Sequence, residues 1–440
     1  MISIHFGSSI VPGGAAAGDG RIKIGDHVTG VGQETGEIEE VFDVKLSEVV
    51  RKIRGKAGTK VRLQVQHEGS TETVLVELVR KKIELKEQEV KGEIIPGSRV
   101  GKTGTIGVLS LPSFYRDFEH AGEGGKSAAV DCKVVLQRFN AANVDAVIVD
   151  LRNNGGGALT EAVEISGLFI DQGPVVQVKQ GTKVQQLNDE DPGAICNKPV
   201  IVVCNRLSAS ASEIFAGVMK DYHRAIIVGD TTTHGKGTVQ NLMDVAPKSP
   251  FKLFGKSADR GKLKLTIQQF YRVNGDSTQN LGVPSDVVLP SVLDHGDMGE
   301  SFMENALPFD HIQQAVHKEN RQYVTADLLA QLQRKSEQRV AADPEFRRVE
   351  TVIQRYLERK NRKQISLNEE KLRAERVEDE KLKSEKEKLK EKEEGALDED
   401  KADDANPNKP IFPKEYYNDE LLNVTIDYVS GYNTLKTAKR

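Results

Sequence analysis

Apolar residues along this chain follow three successive patterns, and each predicts a different architecture. Residues 21–85 mostly alternate. Arg21–Gly32 reads as a strand, a Gly-Asp turn and a second strand, while Lys60–Gln66 and Thr73–Val79 read as paired strands. Between them, Leu46, Val49, Val50 and Ile53 form one stripe of a short amphipathic helix, closed by the glycines at 55 and 58. From Gly107 onward the strands become continuously apolar. Gly107–Leu111, Asp145–Leu151, Pro199–Asn205 and Ala225–Gly229 are short runs of the kind buried on both faces of a sheet. Helices predicted over Lys126–Asn140 (burying Val130, Val134 and Phe139), Ala158–Phe169 and Ser212–Tyr222 separate them, and Lys262–Val273 reads as a long strand. Repeated strand–helix units ending in glycine-rich turns predict a layered α/β domain with its site at the strand ends. Beyond about residue 303 the pattern is helical: Asp310–Val316, Thr325–Lys335 and Pro344–Glu358. Leu367–Glu394 is nearly all Glu, Lys and Arg. It reads as a solvated helix with i,i+4 ion pairs, because the second core position of each heptad is missing. Asp398–Asn408 reads as an acidic linker.

Composition narrows the function classes. A net charge of −4 over 440 residues gives no basic footprint for nucleic acid. No segment approaches the ~18 uninterrupted apolar residues of a membrane span, and the first residues lack the regions of a signal peptide. Cys132, Cys196 and Cys204 follow neither a zinc nor a disulfide spacing, so no metal or other cofactor is expected, and Cys204 reads as a small core residue.

The chemistry concentrates at Ser210 and Lys236. Phe215–Asp230, between their two motifs, reads as helix then buried strand, which returns the chain on itself and brings a hydroxyl near an amine. Serine needs a group to take its proton before it attacks a carbonyl, and a lysine desolvated enough to be neutral can do so. The pair therefore suggests a Ser-Lys hydrolase. Ser212 reads as the helix N-cap, with Glu213 in the first turn, so Ser210 precedes the cap where the helix dipole favours negative charge. Asn153–Gly157 is a tight turn whose glycines allow a main-chain N–H to point at a substrate carbonyl. A phosphate loop does not fit, since five residues separate Gly229 from Gly235 and Gly237 follows Lys236. A Ser-His arrangement through His223 or His234 stays open, although no G-x-S-x-G elbow is present.

With these motifs assembled, the chain resembles the tail-specific, or C-terminal processing, peptidases, above all their bacterial periplasmic branch. The carrying segments are Asp150–Val163, Asn205–Gly217, Asp221–Asp230, Gly235–Gln240 and Gln268–Gln279. The resemblance implies Ser210 as nucleophile, Lys236 as general base and Gln240 as the residue orienting that lysine. It implies an oxyanion hole from the Ala211 amide and an amide of the glycine turn, Gly156 or Gly157. Asp221 and Arg224 match a further motif, as a structural ion pair or as catalytic support.

The implied fold is multi-domain α/β (α+β). It comprises an N-terminal partial PDZ domain (1–85), a crotonase- or ClpP-like layered serine peptidase core (86–300) and a C-terminal helical region (301–440). The implied function is an ATP-independent serine endopeptidase acting on unfolded proteins or peptides through apolar C-terminal tails. An adaptor protein is a further expected partner, and the compartment is expected to be the periplasm. The alternative is a PDZ scaffold that binds and no longer cleaves. The family's carboxylate cradle, helical N-terminal domain and signal peptide are not legible, and Ile4–Gly7 matches the cradle poorly, so the chain reads as a fragment or shortened start. The Asp230–His234 loop carries one residue more than is usual.

Overall fold

The computed structural model describes residues 5–6, 10, 14–81, 89–118, 120, 125–245, 261–364, 368–374, 376–377 and 410–438. They form two compact units, Met1–Glu87 with Ser366–Lys409 and Gln88–Ile365 with Pro410–Arg440.

In the first unit, strands β1 (His5–Phe6), β2 (His27–Gln33), β4 (Lys60–Gln66) and β5 (Thr73–Val79) pair in that order, with β3 (Glu39–Glu40) on β2. The period-two pattern works as expected: Val61, Leu63 and Val65 of β4 alternate into a core with Val31, Val49, Val76 and Leu78. Val49 is the buried contribution of helix α2 (Leu46–Ile53), which follows the short α1 (Ala15–Asp19), and Leu46 is exposed. Arg21–Ile24 is not a strand. Its backbone folds into a turn in which the Lys23 and Asp26 main chains bond each other and the Lys23 N–H also donates to the Asp26 carboxylate. His5 and Phe6, part of the weak cradle match, lie antiparallel to Val28 and His27, whereas Ile4 and Gly7 fall outside the described residues.

The second unit is built on a six-stranded sheet ordered β15 (Val287–Val288), β12 (Ile226–Gly229), β11 (Val200–Cys204), β8 (Ala146–Asp150), β7 (Thr105–Ser110), β6 (Lys91–Pro96). The strands run parallel except for β6 on β7. Both faces are covered, which is why the strands read as unbroken apolar runs. Val147 and Val149 of β8, with Val200 and Val202 of β11, face a core containing residues of α3 (Ala128–Ala141), α4 (Leu159–Gly167) and α5 (Ala211–Asp221). Ala146, Ile148, Ile201 and Val203 face the opposite core. That core is completed by α6 (Ala326–Ala342), α7 (Pro344–Lys360) and α8 (Tyr416–Ala438), through residues such as Leu328, Phe346, Leu421 and Tyr428.

A four-stranded sheet, ordered β10 (Lys183–Asp189), β9 (Gly173–Gln180), β14 (Lys262–Tyr271), β13 (Thr238–Asp244), flanks the site. The mixed α/β class is as expected from sequence.

Several local expectations are corrected. In α3, Val130 and Val134 are exposed at 58% and 60%, and the buried stripe is Ala128, Cys132, Val135, Leu136 and Phe139. Two stripes satisfy the helical period, and the one that buries more apolar surface faces the sheet. Asp310–Val316 is not helical. The N–H groups of Ile312 and Ala315 donate to the carbonyls of Gly275 and Val273, so the segment spends its donors on a neighbouring turn. Residues 369–374 are helical, while most of the charged run and the 398–408 linker fall outside the described residues.

Candidate active site

The site assembles where the parallel strands end. The chain leaves β11 at Cys204, turns through Asn205–Ala209 and enters α5. Ser210, not Ser212, is the N-cap residue, and it holds φ 58° and ψ −112°. That conformation is strained for a residue with a Cβ, by on the order of 1–3 kcal/mol, and persists only where the surroundings fix it. The surroundings do so: the Ser210 N–H donates to the Glu213 carboxylate at 2.8 Å. This sharp turn from strand to helix leaves Ser210 only partly buried, without the G-x-S-x-G spacing.

The serines flanking Ser210 hold the neighbouring loop. The Ser208 hydroxyl donates to the Leu151 carbonyl (2.8 Å) and accepts from the Asn205 N–H (2.9 Å). The Ser212 hydroxyl donates to the Asn154 carbonyl at 2.9 Å, and the Ala209 N–H donates to the same carbonyl at 3.0 Å. The Asn205 side chain accepts from the Asn153 N–H at 3.0 Å and donates to Asn153 Oδ1 at 2.8 Å. The fully buried Asn154 side chain donates to the Leu111 carbonyl at 2.7 Å and accepts from the Gly156 N–H at 2.8 Å. Asn153–Gly157 is thereby locked against the Ser210 turn.

The Gly156 N–H, expected as an oxyanion donor, already donates to Asn154 Oδ1. Among the described residues the N–H groups of Gly155, Gly157 and Ala211 have no protein partner. Ala211 opens α5, where an N–H has no intrahelical acceptor and the helix dipole favours an anion.

Lys236 follows β12 on a loop held from both sides. The Asn280 N–H donates to the Gly235 carbonyl (2.7 Å), the Thr278 hydroxyl to the Lys236 carbonyl (2.7 Å), and the Gly237 N–H to Gln279 Oε1 (2.9 Å). Its Nζ donates to Gln240 Oε1 at 3.3 Å. Burial lowers the ammonium's pKa and the nearby Lys264 lowers it further, while Glu300 and Glu213 act the other way. Gln240 is thus the described partner of the lysine Nζ, and a neutral amide adds no charge that would favour the ammonium.

Among the described residues, neither the rings of His223 and His234 nor Lys236 Nζ hydrogen-bonds the Ser210 hydroxyl, and Nζ goes to Gln240. The His234 ring faces Glu300 at 4.0 Å, and its pKa is lowered by burial. Asp221 pairs with Arg272, not with Arg224. Arg224 is 1% exposed and donates to the carbonyls of Phe169, Cys196 and Lys198 beneath the Tyr323 ring. Asn154, Asn205 and Glu213 escaped the sequence reading because asparagine in a turn and glutamate in a first helical turn both pass as local structure.

The profile of peptidase family S41 matches residues 105–289, that of the C-terminal domain of tail specific protease residues 293–430, and that of the PDZ domain residues 6–66. A tail-specific protease of Haemophilus influenzae is 39% identical over 399 residues, 88% of this chain and 54% of that protein. A carboxy-terminal-processing protease of Bartonella bacilliformis is 30% identical, covering 58% and 52% of the two chains. The chloroplastic carboxyl-terminal-processing peptidase 2 of Arabidopsis thaliana is 28% identical, covering 64% and 49%. The chain spans about half the length of these curated relatives. With its peptidase and C-terminal segments matched in order, and 88% of its length aligned at 39% identity with a tail-specific protease, the chain belongs to peptidase family S41.

Proposed function

We propose that this chain is an ATP-independent serine endopeptidase with a Ser210–Lys236 dyad, directed to proteins with unstructured, apolar C-terminal tails by its PDZ unit. The observation that carries the reading is the state of Lys236, whose half-buried amine is shifted toward neutrality and held by a neutral amide, on a loop tied to the nucleophile's turn. Neutral Lys236 Nζ takes the Ser210 Oγ proton as Oγ attacks the scissile carbonyl carbon. The oxyanion that forms is held by the Ala211 N–H and one amide of the glycine turn, Gly157 or Gly155. The Lys236 ammonium then protonates the departing amine. Water, deprotonated by the same Nζ, attacks the acyl carbon, and the Lys236 ammonium returns that proton to Ser210 Oγ as the acyl C–Oγ bond breaks. Cleavage away from the tail follows from having separate binding and cutting sites, because a PDZ groove takes a free C-terminus as an added strand. An adaptor partner and a periplasmic location belong to the same proposal.

The test is degradation of an unfolded protein by the full chain, without nucleotide and with chelator present. Ser210→Ala and Lys236→Ala are each expected to abolish it, and the double variant to be no worse than either single one. Full activity in Ser210→Ala overturns the proposal, as does an inactive parent chain that still binds tail peptides, which would make it a binding scaffold.

A further inference from the structure

Glu213 is fully buried in the first turn of α5 and, among the described residues, has no ion-pair partner. Its carboxylate is nevertheless saturated with hydrogen bonds. Oε1 accepts from the Thr233 hydroxyl (2.6 Å) and the Gly235 N–H (2.6 Å). Oε2 accepts from the Ser210 N–H (2.8 Å) and the Lys236 N–H (3.0 Å). The Thr233 hydroxyl itself accepts from the Val283 N–H at 2.8 Å, which aims its proton at the carboxylate. One oxygen therefore joins the main chains of the nucleophile and the base, two residues 26 positions apart in sequence. Two bonds of hydrogen-bond length sharing one acceptor hold those nitrogens within about 6 Å of each other.

We propose that Glu213 is a positioning residue for the Ser210–Lys236 reaction, its ionised carboxylate fixing the distance between the strained N-cap turn and the base loop. The proposal rests on the dyad reading above. Four donors and no cation are what an anion requires at this point. A carboxylic acid would direct an O–H at groups that are themselves donors, and an amide would direct an N–H at two N–H groups. Uncoupling the loops misplaces reacting groups, and a displacement of about 1 Å can cost on the order of 100-fold in rate. The titratable groups that feel this carboxylate are Lys236 in the base loop and the Cys204 thiol in β11.

The experiment compares the full chain with Glu213→Gln, using a fluorogenic peptide with a free apolar C-terminus and a fluorophosphonate that labels an activated serine. Glu213→Gln is expected to lower kcat and the labelling rate at least 30-fold while KM and tail-peptide binding stay within threefold. The pH dependence adds a readout that a merely structural role would not move. At acid pH, log kcat of the parent should rise with a slope near 2, since both Glu213 and Lys236 must lose a proton. The variant's slope should be near 1. Parent-like kcat in Glu213→Gln, or an unchanged slope, overturns the proposal.

Should that variant not fold, Thr233→Val removes one donor and keeps the anion. It should then shift the acid limb to higher pH, and an unmoved limb overturns the proposal. Ser210→Ala and Lys236→Ala in the same assay separate the two claims. If either is active, the dyad falls and Glu213 with it. If both are inactive while Glu213→Gln is unimpaired, only the positioning role falls.

Discussion

Replacing Gly156 by alanine tests the site where its tolerance is smallest. Gly156 has φ +104°, and a Cβ added there would lie 2.8 Å from Ser210 Cβ, 2.9 Å from the Ala209 carbonyl oxygen and 3.0 Å from the Ala211 nitrogen. None of these is the end of a flexible side chain. All belong to the N-cap turn, which Glu213, Asn154 and the Ser212 hydroxyl already hold. The backbone strain alone is on the order of 1–3 kcal/mol. At roughly 2–4 °C per kcal/mol for a domain of this size class, Tm should fall by several degrees. The larger effect falls on catalysis. To relieve contacts a few tenths of an ångström too short, either the glycine turn moves off the oxyanion position or Ser210 and Ala211 do. Losing one oxyanion donor costs about 100- to 1,000-fold in kcat. Because the clash is at the reacting centre and not in the tail-binding groove, KM should change little. Steady-state hydrolysis of a fluorogenic tail peptide, with thermal unfolding recorded on the same preparations, measures both. Gly155→Ala is the matched control, because nothing lies within 4 Å of the methyl it would add and its φ is not positive. It should keep kcat within about threefold, since its backbone is unstrained. A Gly156→Ala enzyme with near-parental kcat and Tm would refute the packing argument and the assignment of this turn to the oxyanion hole.

Three further outcomes follow from the same geometry. Activity should rise with pH on a base whose pKa lies below the ~10.4 of a free lysine, because burial favours neutral Lys236; Gln240→Ala should lower kcat more than it raises KM, and a limb that moves with His234→Ala instead would favour a Ser-His mechanism. Burial raises the Glu213 pKa from 4.5 to about 7, so the unfolded chain releases this proton at lower pH than the native one and stability falls as pH rises from 4.5 to 7, by roughly 3 kcal/mol. Urea midpoints across that window should show the slope in the parent and its loss in Glu213→Gln. Arg224→Leu takes the guanidinium donor from two buried carbonyls and one partly buried one; it should cost on the order of 3–5 kcal/mol of stability yet keep kcat per folded molecule, and lost kcat with intact Tm would restore a catalytic role to Arg224.

The sequence alone determined what depends on pattern and local chemistry. Unbroken apolar runs at 145–151 and 199–205 announced strands covered on both faces, because only a sheet packed on two sides leaves no polar position along a strand. The helix-then-strand return between Ser210 and Lys236 announced that the loops carrying these two residues meet at the strand ends, where both main chains bond the Glu213 carboxylate. Which stripe of α3 is buried was not legible, since 130/134 and 132/136 satisfy the same period and only the opposing sheet chooses between them. Nor was the course of 310–316, whose donors go to the 273–276 turn instead of back along a helix. The tertiary structure also decided the finer chemistry. It made Ser210 the strained N-cap and assigned the Gly156 N–H to Asn154. It gave Asp221 to Arg272 and set Arg224 among carbonyls. Above all it placed the Glu213 carboxylate between two loops that are distant in sequence. A residue in a first helical turn has an adequate local reason to be acidic, so its long-range bonds leave no trace in the spacing of the chain.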